Sequence, residues 1–269
     1  MAYTLIQDYH FGYTLFGNKP ISFDRYYISP SIDMPACCKK NAKLEVLWDF
    51  WEQNNPHISE SPFVLKRVKF TEDEIEFQEF YLINRPKCLK KIEKHWASFK
   101  NAFPQYETPH EVLKAICEKG PHTIKKHDLL GILLGYGEHN AHLFQMSSDL
   151  LIQLTLSTYA QDAHTTSKLT DQEKQQILYN QKLSIIVPKS SWEELLYQYR
   201  EISMQLSGSL RTLVPYHPLL AIPLPSFRAD PSHPETLKIL RDYLETQKLS
   251  NQLLHHPNFL QMVLNRLYA

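Results

Sequence analysis

Glycine is scarce in this chain, with seven residues in 269. Three of the seven stand in one stretch, "GILLGYGEHN" at 131–140, so that stretch needs a physical reason. An excess of either charge is also missing: Lys plus Arg and Asp plus Glu number 29 each, for a formal net charge of zero. Phosphate neutralisation drives nucleic-acid binding and shows as a basic surplus. With none here, nucleic acid is not an expected partner, and Lys39-Lys40, Lys90-Lys91 and Lys125-Lys126 read as solvated surface. Cysteine is limited to Cys37, Cys38, Cys88 and Cys117, without a Cys-x-x-Cys pair. That removes the common zinc and redox frameworks, and leaves Cys88 and Cys117 as small apolar side chains in predicted helices. No apolar run approaches the roughly 20 residues that span a bilayer. The N-terminus lacks the charged-then-apolar order of a signal peptide. As written, the sequence reads as soluble and cytoplasmic, in a reducing compartment.

What is present is a core-forming composition, 43% hydrophobic and 22% charged, which excludes wholesale disorder. Aromatic and β-branched residues around Gly-Asn-Lys-Pro predict a hairpin over 9–28. A loop at 30–39 follows, then a helix with Leu44, Leu47, Trp48 and Trp51 on one face. A second strand pair is expected at 63–70 and 75–83, where Phe77 and Tyr81 alternate with polar residues as one-sided burial demands. Helix signals dominate from residue 84. Asn84 with Pro86 opens a helix through Ile92, Trp96 and Phe99, and Thr108-Pro109-His110-Glu111 is a capping box. Thr170/Glu173 and Ser191/Glu194 repeat the box, with Gly208 closing the helix that starts at Ser191. The tract 157–170 reads as an exposed loop. Five prolines in 213–233 exclude a regular helix and leave an extended segment, with a short strand at 219–224. His233-Pro234-Glu235 opens a helix with Leu237, Leu240 and Leu244 inward, and a last helix follows Pro257. His255-His256 reads as capping at that junction. The sum is a single α+β domain over 1–269: a small, largely antiparallel sheet from 1–83, and a mainly helical body over 84–269.

The glycine stretch admits three functional readings and one structural reading. Gly135 and Gly137 begin a dinucleotide loop, but residue 140 is Asn and the preceding residues look helical. A Walker loop would need Gly-Lys-Ser/Thr, which is absent. On one helix over 124–146, His127, Glu138 and His142 fall on a single polar stripe with Gly131 and Gly135, and Gln145 extends it. With His139 and Asn140 beside it, the stripe could hold a metal for hydrolysis, yet no His-Glu-x-x-His motif or its inversion occurs. The structural reading uses the glycines directly, since each costs about 1 kcal/mol inside a helix against alanine. Either Gly131 and Gly135 admit a neighbouring backbone, or the helix breaks at Gly135-Tyr136-Gly137 with Gly137 at φ > 0. That reading leaves His139, Asn140 and His142 bonding nearby groups, and calls for no metal and no cofactor.

The segments "DYHFGYTLFGNKPISF", "YLINRP", "DLLGILLGYGEHNAHLF" and "LPSFRADPSHPET" resemble a family of uncharacterised proteins from bacteria that live inside eukaryotic cells. That family has no established activity, so the resemblance implies no catalytic residues. Some members begin with a hydrophobic leader where this sequence has "MAYTLIQ", which implies an envelope-attached or secreted protein if a leader precedes it. Missing catalytic motifs and 15 tyrosines with 13 phenylalanines point to a non-enzymatic protein with a protein partner. The competing expectation is a metal-assisted hydrolase on the stripe 127–142.

Overall fold

The computed structural model describes residues 2–8, 10–27, 45–46, 48–53, 61–72, 75–163, 192–209, 224–225 and 227–268. Helices α1 (Ala2–Asp8) and α2 (Phe11–Leu15) precede strand β1 (Ile21–Tyr27). A helical stretch at 48–53 leads to β2 (Phe63–Glu72) and β3 (Ile75–Asn84). Then come α3 (Arg85–Lys94), α4 (Trp96–Ala102), α5 (Pro109–Lys119), α6 (His127–Leu133), α7 (Glu138–Ala163) and α8 (Trp192–Gln205). A short pair, β4 (Gly208–Ser209) with β5 (Arg228–Ala229), is followed by α9 (Pro234–Leu254) and α10 (Phe259–Tyr268). The chain is thus mainly helical α+β with a three-stranded antiparallel sheet in the order β1-β3-β2.

Side chains alternate along each strand, so one sheet has two faces to cover. Phe80, Leu82, Phe63 and Leu65 pack with Phe11, Tyr13, Trp48, Tyr243, Phe259 and Val263 from the helices on the first face. Tyr81, Ile83, Val64 and Ile21 meet Ile92, Phe99, Val112, Ile116 and Leu133 on the second. The one-sided burial expected from Phe77 and Tyr81 is therefore replaced by helices on both sides. A third cluster joins Leu143, Leu150 and Leu154 of α7 to Leu195, Ile202 and Leu206 near α8.

The caps explain why these helices start where they do. Asn84 Oδ1 accepts the Lys87 N–H at 3.1 Å, and Thr108 and Glu111 exchange both bonds of a capping box. His233 Nδ1 accepts the Glu235 N–H at 3.3 Å, and His256 Nδ1 accepts that of Asn258 at 3.1 Å.

Several expectations change. The first half of the 9–28 hairpin is the helical turn α2, and Gly-Asn-Lys-Pro connects helix to strand. All five residues of α2 are buried, so core packing on every side overrides the β propensity of its aromatics. The helix begun at Arg85 breaks at His95, whose ring turns toward Glu138. The tract at 157–163 continues α7; it lacks Gly and Pro and carries two alanines. Gly208 sits in β4 rather than capping a helix, and Leu237 is exposed on α9. Leu44, Leu47, Cys37, Cys38, the box at Thr170, Ser191 and residues 219–223 lie outside the described residues.

On the second face, Glu79 is fully buried between Arg25 and His122. It pairs across strands with Arg25, whose guanidinium lies 3.3 Å from Glu79 Oε1, while His122 Nδ1 lies 3.2 Å from Oε2. The His122 ring stacks on Phe70, 3.9 Å between centroids. Removing one partner of a buried carboxylate leaves its charge uncompensated. Arg25→Met should therefore cost about 3 kcal/mol in urea unfolding. The double variant Arg25→Met/Glu79→Leu should recover most of that loss, because the stranded charge goes with it.

Candidate binding groove at the glycine stretch

Residues 131–140 form two helix ends with a turn between them. Helix α6 stops in a Schellman arrangement: Tyr136 N–H bonds Gly131 O at 3.0 Å, and Gly135 N–H bonds Ile132 O at 3.1 Å. Gly135 takes φ 76 there, the left-handed conformation that an L side chain resists. Gly137 takes φ 87 just before α7, and a Cβ on it would stand 2.7 Å from both Glu235 Cδ and Ile239 Cδ1. That closeness lets Glu235 cap α7, accepting the Glu138 and His139 N–H groups at 3.1 and 3.0 Å. Gly131 lies where α6 crosses α7; a Cβ on it would stand 2.9 Å from Ala141 Cβ and 3.4 Å from its Cα. Gln145 of α7 in turn caps α6, its Oε1 accepting from His127 N and Asp128 N at 2.8 and 3.3 Å.

With the helix broken, the polar stripe is dispersed. Glu138 reaches Lys94 and lies 3.4 Å from His95; the Lys94 hydrogen bond holds its carboxyl below the usual range. His139 Nε2 lies 3.0 Å from Asp230 Oδ2, and its ring stacks on His233 at 3.7 Å. Asp230 is held at about 2, first by the Ser232 hydroxyl and then by His139. Asn140 is buried and fully bonded: its Nδ2 donates to Tyr136 O and Thr236 Oγ1, both at 2.9 Å, and its Oδ1 accepts Asp230 N–H at 2.9 Å. His142 is exposed, and His127 sets its ring edge-on to Phe144 at 5.6 Å. These side chains do not converge. Among the described residues no group of three His, Cys, Asp or Glu could hold a metal ion, so a metal-hydrolase reading has no ligand set there.

What the break builds is a groove of about 400 Å³ between α6, α7 and β5. Leu130, Gly131, Leu134 and Ala141 line it, and Tyr136 stacks on Phe227 at 4.2 Å beside it. Burial pushes the Tyr136 hydroxyl up to about 12, so it stays a neutral hydroxyl at neutral pH. His127, Phe144 and Arg228 also line the groove, all three exposed. Neither Arg228 nor His127 meets a carboxylate among the described residues. The stretch 127–144 was legible as the place to look, whereas Phe227 and Arg228 were visible only as part of a proline-rich segment.

Sequence reasoning missed Lys19. It is 5% exposed, its Nζ lies 5.9 Å from the Tyr136 ring centroid, and no carboxylate pairs with it among the described residues. Burial lowers it from 10.5 to about 8, a perturbation of the kind that marks functional lysines. Nothing in a turn lysine's sequence context signals this, because the burial comes from distant Tyr136 and Gly135.

In comparisons with protein-family models, curated proteins and solved structures, nothing matches this chain.

Gly131→Leu should lower stability by about 1 to 3 kcal/mol through overpacking against Ala141, with Gly131→Ala milder. Thermal melting checks this, and an unchanged Gly131→Leu would mean that the crossing tolerates a side chain. Lys19 gives a pH prediction. Its folded value of about 8 lies below the usual 10.5, so the folded state carries the full burial penalty below pH 8 and sheds it as pH rises to 10.5. That gap corresponds to about 3 kcal/mol. Lys19→Met should be more stable than wild type at pH 7, and the advantage should vanish above about pH 10.5, as read from denaturant midpoints.

Proposed function

We propose that this is a non-enzymatic binding protein that takes an apolar anchor of a protein partner, flanked by acidic groups, into the α6–α7–β5 groove. The observation that carries the reading is the combination of aromatic lining residues with two exposed ones, His127 and Arg228, neither meeting a carboxylate among the described residues. Tyr, Phe and Arg are the residue types enriched at interfaces, since they bury much area while keeping a polar handle. Phe144 is 41% exposed, and Leu151, 49% exposed, lies seven residues on, along the same helical face. The apolar track therefore runs out of the groove along α7. The Arg228 guanidinium favours a carboxylate beside the anchor. On the resemblance described above, such a partner would belong to the bacterial envelope or to a host cell. The described residues contain no helix long and apolar enough to cross a membrane.

An array of immobilised short peptides tests this, each with an aromatic or leucine anchor beside Asp or Glu. Wild-type protein should bind a subset, and Phe144→Asp and Arg228→Glu should each weaken that binding by about tenfold or more. Both side chains are exposed, so melting should stay unchanged. Equal retention of wild type and both variants would reject the groove as the docking site.

A further inference from the structure

A second cavity, of about 390 Å³, lies on the first face of the sheet between α1, α2, the stretch at 48–53 and α10. Its volume is within the roughly 300–1,000 Å³ of ligand pockets. Among the described residues every side chain lining it is apolar or aromatic, including Leu5, Ile6, Phe11, Leu82, Val263 and Leu267. Water would find almost no hydrogen-bond partner there, so the space suits hydrocarbon. Phe50 and Leu260 line it while 69% and 56% exposed, which gives it an edge toward solvent.

Two cations outside its lining are tied to the chain around Leu15. Arg266 Nε donates to Leu15 O at 3.4 Å, and Lys87 Nζ donates to Gly17 O, in the turn that follows α2. Leu15 lines the cavity, as does Leu267, the neighbour of Arg266. Each cation uses one donor on a carbonyl, while a guanidinium has five N–H groups and an ammonium three. No carboxylate lies within ion-pair distance of either among the described residues. Burial first, and then repulsion from Arg266, lowers Lys87, so the two cations lie close enough to repel each other. An apolar cavity with two cations nearby, neither facing a carboxylate among the described residues, is complementary to an amphipathic anion.

We propose that this cavity holds one long-chain acyl carboxylate, with its hydrocarbon tail among Leu5, Phe11, Leu82 and Val263 and its carboxylate at Arg266 and Lys87. Titration calorimetry of the full chain with monomeric palmitate should show saturable binding of one molecule per chain. Between octanoate and dodecanoate, each methylene should tighten binding about fourfold, or about 0.8 kcal/mol. Arg266→Gln, and separately Lys87→Gln, should weaken palmitate about tenfold while leaving methyl palmitate unchanged. Arg266 is exposed, so that variant keeps the test alive if Lys87→Gln fails to fold. Phe144→Asp should leave palmitate binding intact, so failure of the groove reading and failure of this one are separable. Palmitate affinity indifferent to both cation variants would overturn the assignment, as would no saturable binding at any chain length. Sedimentation with phosphatidylglycerol but not phosphatidylcholine vesicles, without palmitate binding, would assign the anion recognition to a lipid surface and overturn the enclosed acyl ligand.

Discussion

The side-chain amide of Asn140 fixes four pieces of chain relative to one another. From the first turn of α7 it bonds the carbonyl of Tyr136, the hydroxyl of Thr236 on α9 and the backbone N–H of Asp230 just past β5. The stacked Tyr136–Phe227 pair that bounds the groove, with Arg228 next to it in the chain, hangs on that one group. A buried amide satisfied in this way gives little net stability, but leaving its partners bare would cost about 1 to 3 kcal/mol for each stranded group. The geometry of the groove is therefore set by polar bonds, and apolar packing fills in around them.

The glycines serve the same end. Gly135 supplies a left-handed turn, Gly137 lets the carboxylate of Glu235 approach the start of α7, and Gly131 lets α6 lie against Ala141. Each helix end is then capped by a side chain from elsewhere. Gln145 serves α6 from 17 and 18 residues away, and Glu235 serves α7 from 96 and 97. Capping at such range makes α6, α7 and α9 interdependent, since the residues just before α6 and α7, Lys126 and Gly137, supply no side-chain cap.

This range also decides what the sequence could reveal. Local signals were readable: Asn84, the Thr108–Glu111 box and the two strands at 63–83 all depend on neighbours within a few residues. The glycine cluster announced an unusual backbone because glycine tolerates what other residues do not. Where long-range packing decides, the reading failed. Phe11–Leu15 has a strand's composition yet lies as one helical turn inside the core, and Lys19 looks like any turn lysine until Tyr136 covers it. The polar stripe followed from extending one helix through Gly135, and that single wrong turn gathered side chains that in fact face different neighbours.

The cluster of Leu143, Leu150, Leu154, Leu195, Ile202 and Leu206 shares no buried residue with the two cores on the sheet. One helix, α7, thus belongs to two cooperative units. Its first turns are locked by Glu235, Asn140 and Ala141 to the sheet-bearing body, while its later turns rest on α8. Amide hydrogen exchange along this one helix should grade accordingly, from protons released only on global unfolding near residue 140 to protons released by separation of α7 from α8 beyond residue 150.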